Sequence, residues 1–171
     1  DFDALNHVIE VPELGYIVGG SGNYIDPSGA VKQGALAAMV GYNGSQLWGQ
    51  TYVHSDISYE SVAARTVATA EGKYYQIVNG RGDITYLENG FSIYEIDLSN
   101  GIAPSDVRHI HIQEHPIKVM SAHPHPQNPE HLLLSGFLEV DASNLPYDPN
   151  DPQSFYELSA GDRPPFLMEI N

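Results

Sequence analysis

Gly15-Tyr-Ile-Val-Gly-Gly20 occurs three times in this chain in altered form. It returns as Tyr75-Gln-Ile-Val-Asn-Gly80 and again as His131-Leu-Leu-Leu-Ser-Gly136. Each copy is a short apolar run closed by glycine. The closing glycines stand 60 and 56 residues apart. A period in this range predicts stacked supersecondary units rather than one irregular core. A second series lies between the copies. Met39-Val-Gly-Tyr-Asn-Gly44 matches Glu95-Ile-Asp-Leu-Ser-Asn-Gly101, and Phe166-Leu-Met-Glu-Ile-Asn171 matches the start of that element.

Working outward, the first unit reads as four strands: Ala4 to Glu10, Tyr16 to Val18, Leu36 to Tyr42 and Gln46 to Val53. A polar loop from Ser21 to Gln33 carries Asp26-Pro-Ser-Gly29, a β-turn signature. Asn43-Gly44 between two strand-like runs predicts a hairpin with a type I′ turn, whose two central residues both need positive φ. The second unit repeats the order with Val62 to Ala68, Tyr74 to Val78, Phe91 to Leu98 and Val107 to Ile112, the last two flanking Asn100-Gly101. The third supplies Ile117 to Ala122 and Leu132 to Leu138, then a long acidic, proline-rich loop from Asp141 to about Pro165. The alanines between Ser61 and Ala70 also suit a helix. Val62, Thr66, Val67 and Thr69 are β-branched, and their place in the repeat favours a strand. The fold class is therefore all-β, in four-stranded antiparallel units at 1–60, 61–116 and 117–171.

This order resembles a β-propeller blade. More narrowly, it is similar to extracellular and bacterial-type propeller repeats of the pattern GGYIVAG…LDxNGxxLWxxTY. The matching residues are Gly15 to Gly20, Val40 to Gly44, Leu47-Trp48, Thr51-Tyr52, and Ile93 to Gly101 in the second unit. Trp48 has no counterpart there. The resemblance implies a fold and no particular activity, since propellers host binding, scaffolding and catalysis alike. Propellers close with roughly four to eight blades, and about three repeats cannot close a ring. The expectation is a partial ring, completed by other protein chains or by the rest of a longer parent. The opening residue is Asp1 rather than Met, in keeping with a removed leader or a piece of a longer polypeptide.

Composition narrows the function classes. Hydrophobic residues make up 42% and charged residues 17%, a folding composition. The formal net charge is −15 with seven Lys and Arg, which argues against nucleic acid and anionic membrane surfaces. There are no cysteines, so neither disulfides nor thiolate chemistry is available. No apolar run is long enough to span a bilayer, and no signal peptide is evident.

Six of the eight histidines fall between His109 and His131. His109 and His111 share one face of a predicted strand at a spacing of about 6 to 7 Å. That spacing suits a transition metal, with Glu114 or His115 as further ligands and the His123-Pro-His125-Pro loop bringing more imidazole. The bland reading is that Ile110 and Ile112 face the core and turn these histidines outward. A cupin metal motif also contains His-x-His, but its acidic and glycine spacings do not fit. Asp141, Asp148 and Asp151 offer oxygen ligands for Ca²⁺, without the glycine and terminal glutamate of an EF-hand loop; a solvated acidic loop is the plainer reading. Arg81-Gly-Asp83 spells an adhesion tripeptide that is also an ordinary turn. Trp48 and Tyr52 read as blade core rather than a ligand platform. No spacing supports a catalytic triad.

These features point to a non-catalytic structural, assembly or adhesion segment of a secreted or cell-surface propeller. The rivals are a metal-assisted propeller enzyme using His109 and His111, and a carbohydrate- or peptide-binding module using tyrosine-rich loops.

Overall fold

The computed structural model describes residues 4–25, 27–52, 60–80, 90–110, 117–138 and 165–171. These residues form an all-β structure of eleven strands: β1 (Ala4–Val11), β2 (Gly15–Ile25), β3 (Val31–Gly41), β4 (Gln46–Tyr52), β5 (Glu60–Ala68), β6 (Tyr74–Gly80), β7 (Phe91–Asp97), β8 (Gly101–Ile110), β9 (Ile117–Pro124), β10 (Leu132–Leu138) and β11 (Pro165–Ile170). They build three antiparallel meanders, β1-β2-β3-β4, β5-β6-β7-β8 and β9-β10-β11, one for each copy of the repeat. The alanine-rich stretch is strand β5, as its β-branched residues require.

Three strands run further than their apolar residues suggest. β2 and β3 stay paired out to Ile25 and Val31, so most of the polar stretch after Ser21 is hairpin rather than loop. Backbone pairing does not need apolar side chains once a register has been set. β8 starts at Gly101 and contains Pro104. The proline is tolerated because it lies on the outer strand of its sheet, between the pairs Ile96↔Ile102 and Tyr94↔Val107, where the register shifts.

The Asn43-Gly44 turn forms, but not as type I′. Gly44 takes φ +82°, while Asn43 keeps negative φ. The Gly44 N–H donates to Gly41 O at 2.9 Å, and the Gly41 N–H donates to Ser45 O at 2.8 Å. This is a three-residue loop ending in one left-handed residue. Asn43 Oδ1 accepts instead from the Ser45 N–H at 3.0 Å, so the asparagine braces the turn through its side chain rather than through positive φ. The Thr69–Lys73 turn between β5 and β6 repeats the pattern, with Gly72 at φ +83°.

Two of the three closing glycines of the repeat share a structural reason. Gly20 pairs with Leu5 where β1 carries an extra residue, and Gly136 pairs with Val119 where β9 carries one. A Cβ at Gly20 would stand 1.8 Å from Ala4 O, and one at Gly136 would stand 1.9 Å from Lys118 O. The bulge pushes the neighbouring backbone into the space that a side chain would fill. Gly80 pairs with Glu60 beside a third irregularity, in the middle sheet.

The sheets stack in chain order around two cores. The first core lies between the first and second sheets and includes Val11, Ile17, Met39, Val78, Tyr94 and Ile96. The second lies between the second and third sheets and includes Ile77, Phe91, Ile93, Val119, Leu132 and Leu134. Alternation along β6 sends Val78 to one core and Ile77 to the other. The first strands β1, β5 and β9 lie side by side along the stack. The described residues form three stacked sheets, not a closed ring.

Candidate functional site

The expected metal ligands are not brought together within the described residues. His111, Asp141, Asp148 and Asp151 lie outside them, as do Glu114, His115 and Arg81-Gly-Asp83. His109 is on β8, half-buried, with its Nδ1 2.9 Å from Ser92 Oγ. Ile110 does pack on the second core. His109, on the opposite face, is not turned out to solvent, because that face of the middle sheet looks onto the first sheet. Trp48 packs against the first core and donates from Nε1 to Leu98 O at 2.9 Å, which ties β4 to the β7–β8 turn.

A different histidine cluster forms where the β9–β10 turn meets β11. The turn is tied by the His125 N–H donating to His131 O and the His131 N–H donating to Asn128 O, both at 2.9 Å. In the next strand pair Leu133 lies opposite Glu169, so β11 delivers a carboxylate beside the turn. Glu169 Oε1 accepts from Asn128 Nδ2 at 2.8 Å and sits 2.6 Å from His131 Nδ1. His125 Nε2 is 3.7 Å from the same oxygen. His125 Nδ1 accepts the N–H groups of Gln127 and Asn128 at 3.1 and 2.9 Å, so the neutral ring carries its proton on Nε2, toward the carboxylate.

The hydrogen bond from His131, then that from Asn128, hold the Glu169 carboxyl below the usual carboxylate range. With its Nδ1–H on a carboxylate, His131 presents Nε2 in a fixed orientation, the second half of a pairing that proteins use to aim imidazole lone pairs. The groups converge on one carboxylate oxygen rather than on a common empty point. Among the described residues, no group of three or more His, Asp or Glu side chains is arranged to hold a metal ion. The chemistry available is proton exchange and hydrogen bonding at a partly exposed imidazole.

The second candidate is a surface. The repeat places Ile17, Ile77 and Leu133 at one position, and Val18, Val78 and Leu134 at the next. Ile17 and Ile77 face forward onto the following sheet, and Val78 and Leu134 face back onto the preceding one. Equivalent burial in every unit is the expectation from the repeat, and it fails at two of these positions. Val18 and Leu133 are half-buried and belong to neither core. They lie on the two outer faces of the stack, which no sheet of the described residues covers. On the back of the first sheet, Leu5, Val8 and Tyr16 are 61%, 57% and 39% exposed. The pairs Leu5↔Gly20, Val8↔Val18 and Tyr16↔Val40 put them on one face across three strands.

No family model, curated protein or solved structure matches this chain. No helix is long and apolar enough to cross a membrane among the described residues.

Proposed function

We propose that this chain is a non-catalytic assembly segment of a secreted or cell-surface protein, built of propeller-like blades and completed by other protein chains. One observation carries the reading. The middle sheet has apolar residues buried on both faces, while the first and third sheets each have one face with exposed apolar residues that no sheet of the described residues covers. Exposed apolar residues gathered on one sheet face are characteristic of interaction sites. A second support is the order of the sheets, which stack in sequence with their first strands together, as blades do around an axis.

Elemental analysis of the purified chain tests the non-catalytic part. The expected result is no stoichiometric transition metal. Stoichiometric zinc, iron or copper that is lost in a His109→Ala, His111→Ala double variant would overturn the reading in favour of a metal-assisted enzyme.

A further inference from the structure

We infer that the back face of the first sheet and the front face of the third sheet, which no sheet of the described residues covers, dock on each other between two copies of this chain. The inference rests on the assembly reading and names its partner. It follows from the direction of the stack. Each internal contact sets the front of one sheet against the back of the next: Ile17 forward against Val78, Ile77 forward against Leu134. The same polarity leaves one unused back, at Val18, and one unused front, at Leu133. These two faces belong to the two halves of one contact that the chain already makes twice.

The chemistry of the faces agrees. The free back carries Leu5, Val8 and Tyr16. The free front carries Leu133 and Phe137 on β10 and Leu167 on β11, with Lys118, His123 and Glu169 between them on the same face. Leu167 lies opposite Ser135, the neighbour of buried Leu134, so it points away from the second core. A contact between unlike faces is heterologous, and repetition of it produces rings when the rotation closes and filaments when it does not. The described residues of each chain supply three sheets, so those of two copies supply a number within the roughly four to eight blades of closed propellers. The net charge of −15 per chain opposes association, so added salt strengthens it by screening.

Complementary single-face variants provide the test. Val8→Glu blocks the back face, and Leu167→Glu blocks the front face. Both positions are exposed, and a circular dichroism spectrum and melting temperature like those of the parent establish that each variant folds. In analytical ultracentrifugation at micromolar concentration the parent chain self-associates. Each variant alone sediments as a monomer, and an equimolar mixture doubles in mass, because each variant supplies the face that the other lacks. A parent chain that stays monomeric across this range overturns the inference, as does a Leu167→Glu variant that still dimerises, which would mean back-to-back pairing. The absence of native cysteine provides a second readout that does not depend on charged variants. Val8→Cys and Leu167→Cys chains, mixed with a short bifunctional maleimide, cross-link to each other in preference to themselves. A monomeric parent free of transition metal defeats this inference alone, whereas a stoichiometric metal at the histidines defeats the assembly reading itself.

Discussion

The first and second sheets share a strand order, a bulge near the closing glycine and a glycine-ended turn, yet they are in different situations. The second is sandwiched, with Ile77 and Phe91 buried on one face and Val78 and Tyr94 on the other. The first is half of a sandwich. Its Ile17 face is covered, and no sheet of the described residues covers its Val18 face. The contrast shows that the repeat encodes a sheet able to bury both faces, and that position in the stack determines which faces are buried. Val18 and Val78 are the same residue at the same place in the repeat, and among the described residues only the second has a sheet against it.

The largest expected effect separates these two environments directly. Phe91→Ala, in the second core, should cost about 3 to 5 kcal/mol of unfolding free energy, from lost transfer energy and the cavity left behind. Val8→Ala, on the open face of the first sheet, should change it by no more than about 0.5 kcal/mol in the dissociated chain. Urea unfolding at concentrations that keep the chain monomeric measures both. Comparable costs at the two sites would break the contrast, because they would mean that the back of the first sheet is covered within a single chain.

A second, smaller effect concerns how neighbouring sheets are tied. Asn79 and Gly19 occupy the same position in the repeat, each two residues after an Ile that faces the next sheet. Asn79 bonds the third sheet twice, from Nδ2 to Val119 O at 2.9 Å and from the Val119 N–H to Oδ1 at 2.7 Å. Gly19 makes room instead. A Cβ there would meet Thr66 Oγ1 at 2.5 Å and Gln76 Nε2 at 2.9 Å. Gln76 cannot retreat freely, because Nε2 donates to Leu36 O at 2.8 Å. Asn79→Ala leaves buried backbone groups of Val119 without that partner and should cost about 1 to 3 kcal/mol. Gly19→Ala should cost a similar amount, about 1 to 3 kcal/mol, by overpacking. If either change is neutral in urea unfolding, the two sheet–sheet contacts are looser than their geometry indicates.

Much of this architecture was legible in the sequence because it rests on local chemistry. Apolar runs closed by glycine marked β2, β6 and β10, and Asn-Gly marked two hairpins. The long β2–β3 hairpin was not legible, since Ser21, Asn23 and Gln33 look like loop when pairing is ignored. The histidine cluster was half visible. His125 and His131 sit close together in the chain, but Glu169 reaches them only through the pairing of Leu133 with Glu169 across the third sheet. That register follows from tertiary structure and leaves no mark in the residues near the histidines. The open faces were hidden for a related reason: Val18 and Leu133 carry the side chains of buried residues, and nothing in their own segments says whether a sheet lies beyond.

The smallest effect tests the covered face of the first sheet through its one histidine. His7 pairs with Gly19, which places it on the face that looks onto the middle sheet. Its Nδ1 is buried with no hydrogen-bond partner among the described residues. Burial first, then the Arg65 charge, lower its pKa from the ordinary value of 6.5. An unfolded chain binds a proton at His7 near the ordinary histidine pKa, about 6.5, whereas the folded chain resists it until lower pH. The unfolded state therefore holds more protons between the two values, and stability declines as pH falls through that window. The contribution is complete above the unfolded pKa and lost as pH passes below the folded one. His7→Gln cannot titrate, so the drop in urea midpoint between neutral and mildly acidic pH should be smaller in the variant than in the parent. Equal pH dependence in the parent and the His7 variant would place His7 in solvent, and with it the face of β1 that the first core is built on.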